Sequence, residues 1–239
     1  MHLPSGEGPW PVVVLIHGGF WRFGADRSLS LMTHLAEDLA GRGIAAWNIE
    51  YRRVGGEGGG WPGTLEDAAA AIDAVAGMGE VDPARVVTVG HSAGGHLALW
   101  LAARHRIPAG NPGARPVLRP RGAVALAGVA DLVEGARDGL GSGACVDLLG
   151  GLPAEQPGRY AVASPLALLP LSVPQLLVHG GLDDDVPLSQ STAYAASALA
   201  AGDEVELVER ADAGHMDVID VTGEFWTATC AWLDRVLDR

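Results

Sequence analysis

Cysteine is scarce in this chain: among 239 residues only Cys145 and Cys230 carry thiols. Two thiols cannot build a disulfide framework, and their spacing is not that of a metal site. No metal centre is therefore expected, and a reducing cytoplasm is the expected location. No apolar run reaches the roughly 18 residues that a membrane helix needs. The opening MHLPSGEGPW lacks the basic segment followed by an apolar one that marks a secretory signal. Positive charge is also short. Sixteen Lys and Arg stand against 29 Asp and Glu, a net charge of −13. Such a surface repels phosphate backbones and anionic membranes, which argues against nucleic-acid and membrane partners.

What is present is apolar material, 48% of the residues. That suits one well-buried α/β domain over 1–239, whereas two domains would have thin cores. Apolar β-type runs alternate with helix-length amphipathic segments. Strands are expected at 12–17, 43–49, 85–89, 123–127, 174–179 and 204–209. Helices are expected at 30–41, 65–76, 93–104, 189–201 and 224–236. This alternation implies a three-layer α/β/α sandwich with a mostly parallel sheet, and ligands at the carboxyl ends of its strands. Two stretches break the rhythm. Residues 106–121, rich in Pro, Gly and Arg, read as a surface excursion. Residues 132–171 are far longer than an ordinary loop and read as a cap insertion that shapes a pocket, with a peripheral helix pair as the plainer alternative.

The segment VVTVGHSAGG, residues 86–95, carries the most chemistry. A β-branched run ends in G-x-S-x-G and passes directly into a helix, the context that lifts a serine hydroxyl above a parallel sheet. Ser92 is the candidate nucleophile. Gly90 and Gly94 leave room for the sharp turn. A serine needs an adjacent base, itself oriented by a third group. Of the eight histidines, His215 in ADAGHMD lies in the loop after the last strand, which returns it to the sheet's carboxyl edge. It is the candidate base. His17, His91 and His179 sit at strand ends, where local hydrogen bonding is their expected work, and His96 is expected to pack. The acid should leave a strand end between nucleophile and base. Asp183 in HGGLDDDVP is the first choice, with Asp184 and Asp185 as solvated turn residues and Asp131 as a second location. Backbone donors for an oxyanion are expected from Ala93 and from Gly19 and Phe20 in HGGFW, with Gly18 shaping the turn. Trp21 and Trp61 are candidate walls of a substrate pocket. The run GGGWPG at 58–63 matches a dinucleotide fingerprint in letters only, because Pro62 removes a needed N–H and the run lies well beyond its strand. No cofactor is expected.

In the order Ser92, Asp183, His215, behind HGGFW, the chain resembles serine hydrolases of the α/β-hydrolase fold. More closely it resembles their esterase and arylformamidase (kynurenine formamidase-like) branch, on HGG-x-W, GHSAGGH, RYAVASPLALLP and HGGLDDDVP, from about Val12 onward. The resemblance implies a serine hydrolase that cleaves small carboxylic esters through an acyl-enzyme. Its alternatives are deformylation of N-formylkynurenine and, from another class, a non-catalytic binding module. Relatives open with an antiparallel strand pair, for which the residues before Val12 are too few. An uncovered sheet edge is expected, and with it pairing into a homo-oligomer.

Overall fold

The computed structural model describes residues 1–24 and 27–238. Six strands form one parallel sheet in the order β2-β1-β3-β4-β5-β6. They are β1 (Trp10–Ile16), β2 (Ala45–Ile49), β3 (Val81–His91), β4 (Gly122–Leu126), β5 (Gln175–Gly180) and β6 (Val205–Arg210). The helices are α1 (Thr33–Gly41), α2 (Gly63–Ala74), α3 (Ala93–Ala103), α4 (Leu132–Arg137), α5 (Leu140–Leu149), α6 (Pro157–Ala163), α7 (Ser189–Ala200) and α8 (Glu224–Leu237).

The period of two along β1 sorts its side chains between two cores. Val12, Val14 and Ile16 face α2, α3, the 132–171 helices and α7. Val13 and Leu15 face α1 and α8, where Leu35, Leu39, Trp226 and Trp232 pack. This is the three-layer α/β/α sandwich that the alternation implied.

Three departures from the sequence reading have physical causes. β3 starts at Val81 instead of 85, because Trp10 pairs with Val81 before the register shifts to Val12–Val86. Asp82 and Pro83 read as a turn and hid that pairing. The outer edge of β2 is not bare: His2 makes an antiparallel bridge to Ala46, with reciprocal N–H···O bonds of 2.9 Å. The third concerns 132–171, where α4, α5 and α6 sit. α6 lies along α3, with Trp100 Nε1 donating to Val162 O at 2.9 Å. All eleven residues of α3 are buried as a result, so this helix shows no amphipathic stripe.

Candidate active site

The turn from β3 into α3 places Ser92 at the middle of the sheet's carboxyl edge. Its φ of 56° lies in the left-handed region, a conformation that costs a non-glycine residue about 1–3 kcal/mol. The surroundings enforce it. Ser92 N–H donates to Leu126 O at 2.8 Å, and a methyl group on Gly90 or Gly94 would lie 1.9 Å from Gly94 O or 2.0 Å from Ile16 O. Gly18 is equally confined, since a Cβ there would sit 2.9 Å from Ser92 Cβ. The N–H of Ala93 opens α3, where the first amides have no intrahelical acceptor.

Two loops meet beside this turn. Asp183, after β5, accepts at Oδ2 from His215 Nδ1 at 2.7 Å. Its Oδ1 accepts from Val186 N at 2.8 Å and Asp185 N at 3.0 Å. His179 Nε2 also approaches Oδ2, at 3.3 Å, while donating to Val186 O at 2.9 Å. Because the Val186 carbonyl can only accept from Nε2, that nitrogen is protonated and Nδ1 accepts from the Ser191 hydroxyl at 2.7 Å. The Asp183 side chain is wholly enclosed. Burial alone would push its carboxyl up, but the bonds from His179, His215 and Val186 outweigh burial and hold it well below the usual carboxylate range. An ionised Asp183 fixes the proton on His215 Nδ1 and leaves Nε2 with a free lone pair.

His91 reaches the base from the other side. Its Nε2 donates to His215 O at 3.2 Å, and the two rings lie 4.6 Å apart. Ser92 follows His91 immediately in sequence. Among the described residues Ser92 Oγ has no hydrogen-bond partner, while His215 is held by Asp183 and His91. Asp131 is engaged elsewhere, capping α4 through Val133 N at 2.8 Å. Asp184 and Asp185 are exposed.

The HGGFW loop closes the opposite wall. Gly19, Phe20 and Trp21 all have positive φ, at 108°, 55° and 54°. Among the described residues the N–H groups of Gly19 and Phe20 have no acceptor. His17, fully buried, supports the loop: Nε2 lies 2.7 Å from Glu50 Oε1, and the ring stacks on Tyr51 at 4.4 Å. Tyr51 OH donates to His17 O at 2.9 Å. Burial would raise the Glu50 carboxyl, but the His17 bond and charge bring it below its ordinary value.

The two tryptophans do not wall this site. Trp21 has no exposed surface and donates from its indole to Ala93 O at 3.1 Å, so it braces the HGGFW loop against α3. Trp61 lies over Arg159 and lines a groove of about 450 Å³ with Pro62, Glu66 and Asn111. A different cavity, of about 360 Å³, opens between Phe20, Gly141, Ser142 and Asp184. The sequence reading missed Glu50, Tyr51 and Arg22. Only their position, at the end of β2 and beside HGGFW, could have pointed to them.

A family model described as BD-FAE matches residues 1–197. The chain belongs to the BD-FAE family. Solved structures similar to this BD-FAE chain include esterase Est2 of the planctomycete Thermogutta terrifontis with butyrate bound. That pair is 25% identical, covers 98% of this chain and 86% of the other, and has a TM-score of 0.77. A truncated carbohydrate esterase from gut microbiota shares the fold at a TM-score of 0.81 and 20% identity, over 99% of this chain and 90% of that one. The uncharacterized protein Rv2307c of Mycobacterium tuberculosis is 35% identical over 103 residues, which are 42% of this chain and 34% of that protein. The BD-FAE chain thus spans about a third of the length of the curated relatives it matches. The esterase side of the motif resemblance is the side these structures carry.

Two buried imidazoles give the BD-FAE chain an acid-sensitive stability. His91 is pushed down to about 3, first by burial and then by the charge of His215. Burial brings His96 down to about 4. Unfolded, both titrate near 6.5. The unfolded state therefore binds more protons below pH 6.5, so stability is complete above that pH and is lost as pH falls toward 4. Each histidine contributes up to about 1.4 kcal/mol per pH unit in that window. Melting temperature is expected to fall steadily from pH 7 to 4.5, and less steeply in His96→Leu. Identical slopes for the two proteins would show that His96 takes up no proton on unfolding.

Proposed function

We propose that this chain is a serine esterase acting on small acyl esters through an acyl-enzyme. One observation carries the reading: Asp183 Oδ2 at 2.7 Å from His215 Nδ1, with His215 against the residue that precedes a strained serine. Ser92 Oγ attacks the ester carbonyl while His215 Nε2 takes its proton. The carbonyl oxygen, now negative, is held by the N–H groups of Gly19, Phe20 and Ala93. His215 returns the proton to the departing alcohol, leaving an acyl group on Ser92. A water, deprotonated by His215, then attacks that acyl group, and the carboxylic acid leaves as Ser92 regains its proton. Asp183 stabilises the imidazolium at both stages.

Support for short acyl groups comes from the solved relative, an esterase described with butyrate, with propionate, and phosphoramylated by tabun. The 132–171 segment acts as the cap, because its Gly141 and Ser142 border the cavity beside Phe20. With Cys145 and Cys230 both buried as free thiols, a reducing compartment suits the chain.

The test is kcat/KM for p-nitrophenyl acetate and butyrate beside N-formyl-L-kynurenine, with Ser92→Ala as the blank and fluorophosphonate labelling as the check on Ser92. Ester turnover with stoichiometric labelling is expected. A formylkynurenine value tenfold or more above the esters would make the enzyme a formamidase. Folded protein that neither labels nor turns over either substrate would be a binding module.

A further inference from the structure

Arg22 lies two residues beyond Phe20 and crosses to the 132–171 segment. Its Nε and Nη2 donate to Asp147 Oδ2 at 3.0 and 2.6 Å. Nη2 also donates to Ser142 O at 2.9 Å, and Nη1 donates to Gly141 O. Four hydrogen bonds from one guanidinium thus bind a stretch more than a hundred residues away in sequence.

That stretch does not hold itself in regular structure. Gly139, Gly141, Ser142 and Gly143 have φ values of 68°, 55°, 54° and 85°, so the first turn of α5 winds left-handed. Ser142 there has the conformation that L residues resist. The carbonyls of Gly141 and Ser142 take Arg22 as their donor. On the other side stands the oxyanion loop, itself left-handed at Phe20 and Trp21. The two segments touch directly as well: a methyl group on Gly141 would lie 2.4 Å from the Phe20 ring. The turn has one internal bond, Gly143 N–H to Gly139 O at 3.2 Å, and the loop is braced by Trp21 on Ala93 O and by pairing with Val54, so Arg22 is a polar link between two partly held segments.

We propose that Arg22 is a positioning residue that clamps the 139–143 turn onto the oxyanion loop and thereby sets the place of the Phe20 N–H. Closing the cap turn and completing the oxyanion site are then one event. This inference rests on the esterase reading above. A planar, forked guanidinium meets one carboxylate oxygen and two carbonyls together, which the point charge of a lysine cannot do.

The experiment compares wild type, Arg22→Lys, Asp147→Asn and the double variant. Removing an oxyanion donor costs about 10²–10³ in kcat, and displacing one costs part of that. For p-nitrophenyl acetate, kcat is expected to fall about tenfold or more in Arg22→Lys, with KM within about threefold. Affinity for a phenylboronic acid, whose tetrahedral Ser92 adduct puts an oxygen in the same site, is expected to fall by a similar factor. The final extent of fluorophosphonate labelling should stay at the wild-type level, which excludes a misfolded fraction. The double variant should be little worse than the single ones, because they break the same link. Amide hydrogen exchange at 139–143 should speed up in all three variants. Wild-type kcat and boronate affinity in Arg22→Lys would overturn the inference alone, whatever the exchange shows. Exchange at 139–143 unchanged in Arg22→Lys would also overturn it, since the turn would then hold without the clamp. A wild-type chain without Ser92-dependent turnover would overturn the esterase reading and this role with it.

Discussion

Asp183→Asn is expected to lower kcat toward p-nitrophenyl acetate by about 10⁴, and Ser92→Ala by about 10⁶, the losses that triad hydrolases show for these positions. The asparagine argument is specific to this site. Oδ1 of Asp183 accepts two backbone N–H groups, from Asp185 and Val186. An asparagine must keep its carbonyl oxygen there, so its NH₂ takes the Oδ2 position. Two donors already point at that position, His215 Nδ1 at 2.7 Å and His179 Nε2 at 3.3 Å. The amide cannot flip away without stranding the backbone donors. His215 is therefore forced to accept at Nδ1 and carry its proton at Nε2, where a lone pair is needed. Melting temperature should change far less than rate. Activity in Asp183→Asn within tenfold of wild type would remove Asp183 from the triad and return the search to other carboxylates.

Gly94→Ala is expected to destabilise the fold strongly. The new Cβ would stand 2.0 Å from Ile16 O and 2.6 Å from His17 O. Both are backbone atoms at the end of β1, a strand paired on both sides, so neither has a rotamer to retreat into. Forced overpacking of this kind costs about 3 kcal/mol or more, which for a chain of this size lowers the melting temperature by roughly 6–12 °C. Gly41→Ala is the matched control. It ends α1 with nothing within 4 Å of the added methyl, and alanine is the better helix former by about 1 kcal/mol. Thermal unfolding of the two variants checks both signs. If Gly94→Ala melted with the wild type, β1 and α3 would have to be freer to separate than their packing indicates.

Strand and helix positions were legible where the local signal was uncontested. β1, β2, β4, β5 and β6 are apolar runs bounded by turn residues, and each observed strand overlaps the expected one. The Ser92 turn was legible for the same reason: a strand, two glycines and a helix are all local. So was the region of Asp183 and His215, because chain order places strand ends along one edge. What the sequence hid is long-range. The partners of Arg22 are 119 to 125 residues away. His17 finds Glu50 across 33 residues. Trp21 looked available for substrate because HGGFW is a loop, yet it is sealed under α3. The helices of 132–171 were legible as an insertion, but their contact with α3 was not, because α3 is apolar on every side and marks no preferred neighbour.

That all-round burial of α3 sets a problem for synthesis. When Ala103 leaves the ribosome the helix that follows Ser92 is complete, but the segment that covers its outer face ends at Ala163. About 60 further residues must be translated, which takes several seconds at 5–20 residues per second. Through that interval the nascent chain exposes an apolar helix with no stripe to distinguish inside from outside, a surface that holdase chaperones bind. Maturation of the chain is thus timed by its 132–171 segment, and a slow codon run between the two segments would lengthen the exposure without altering a single residue of the finished protein.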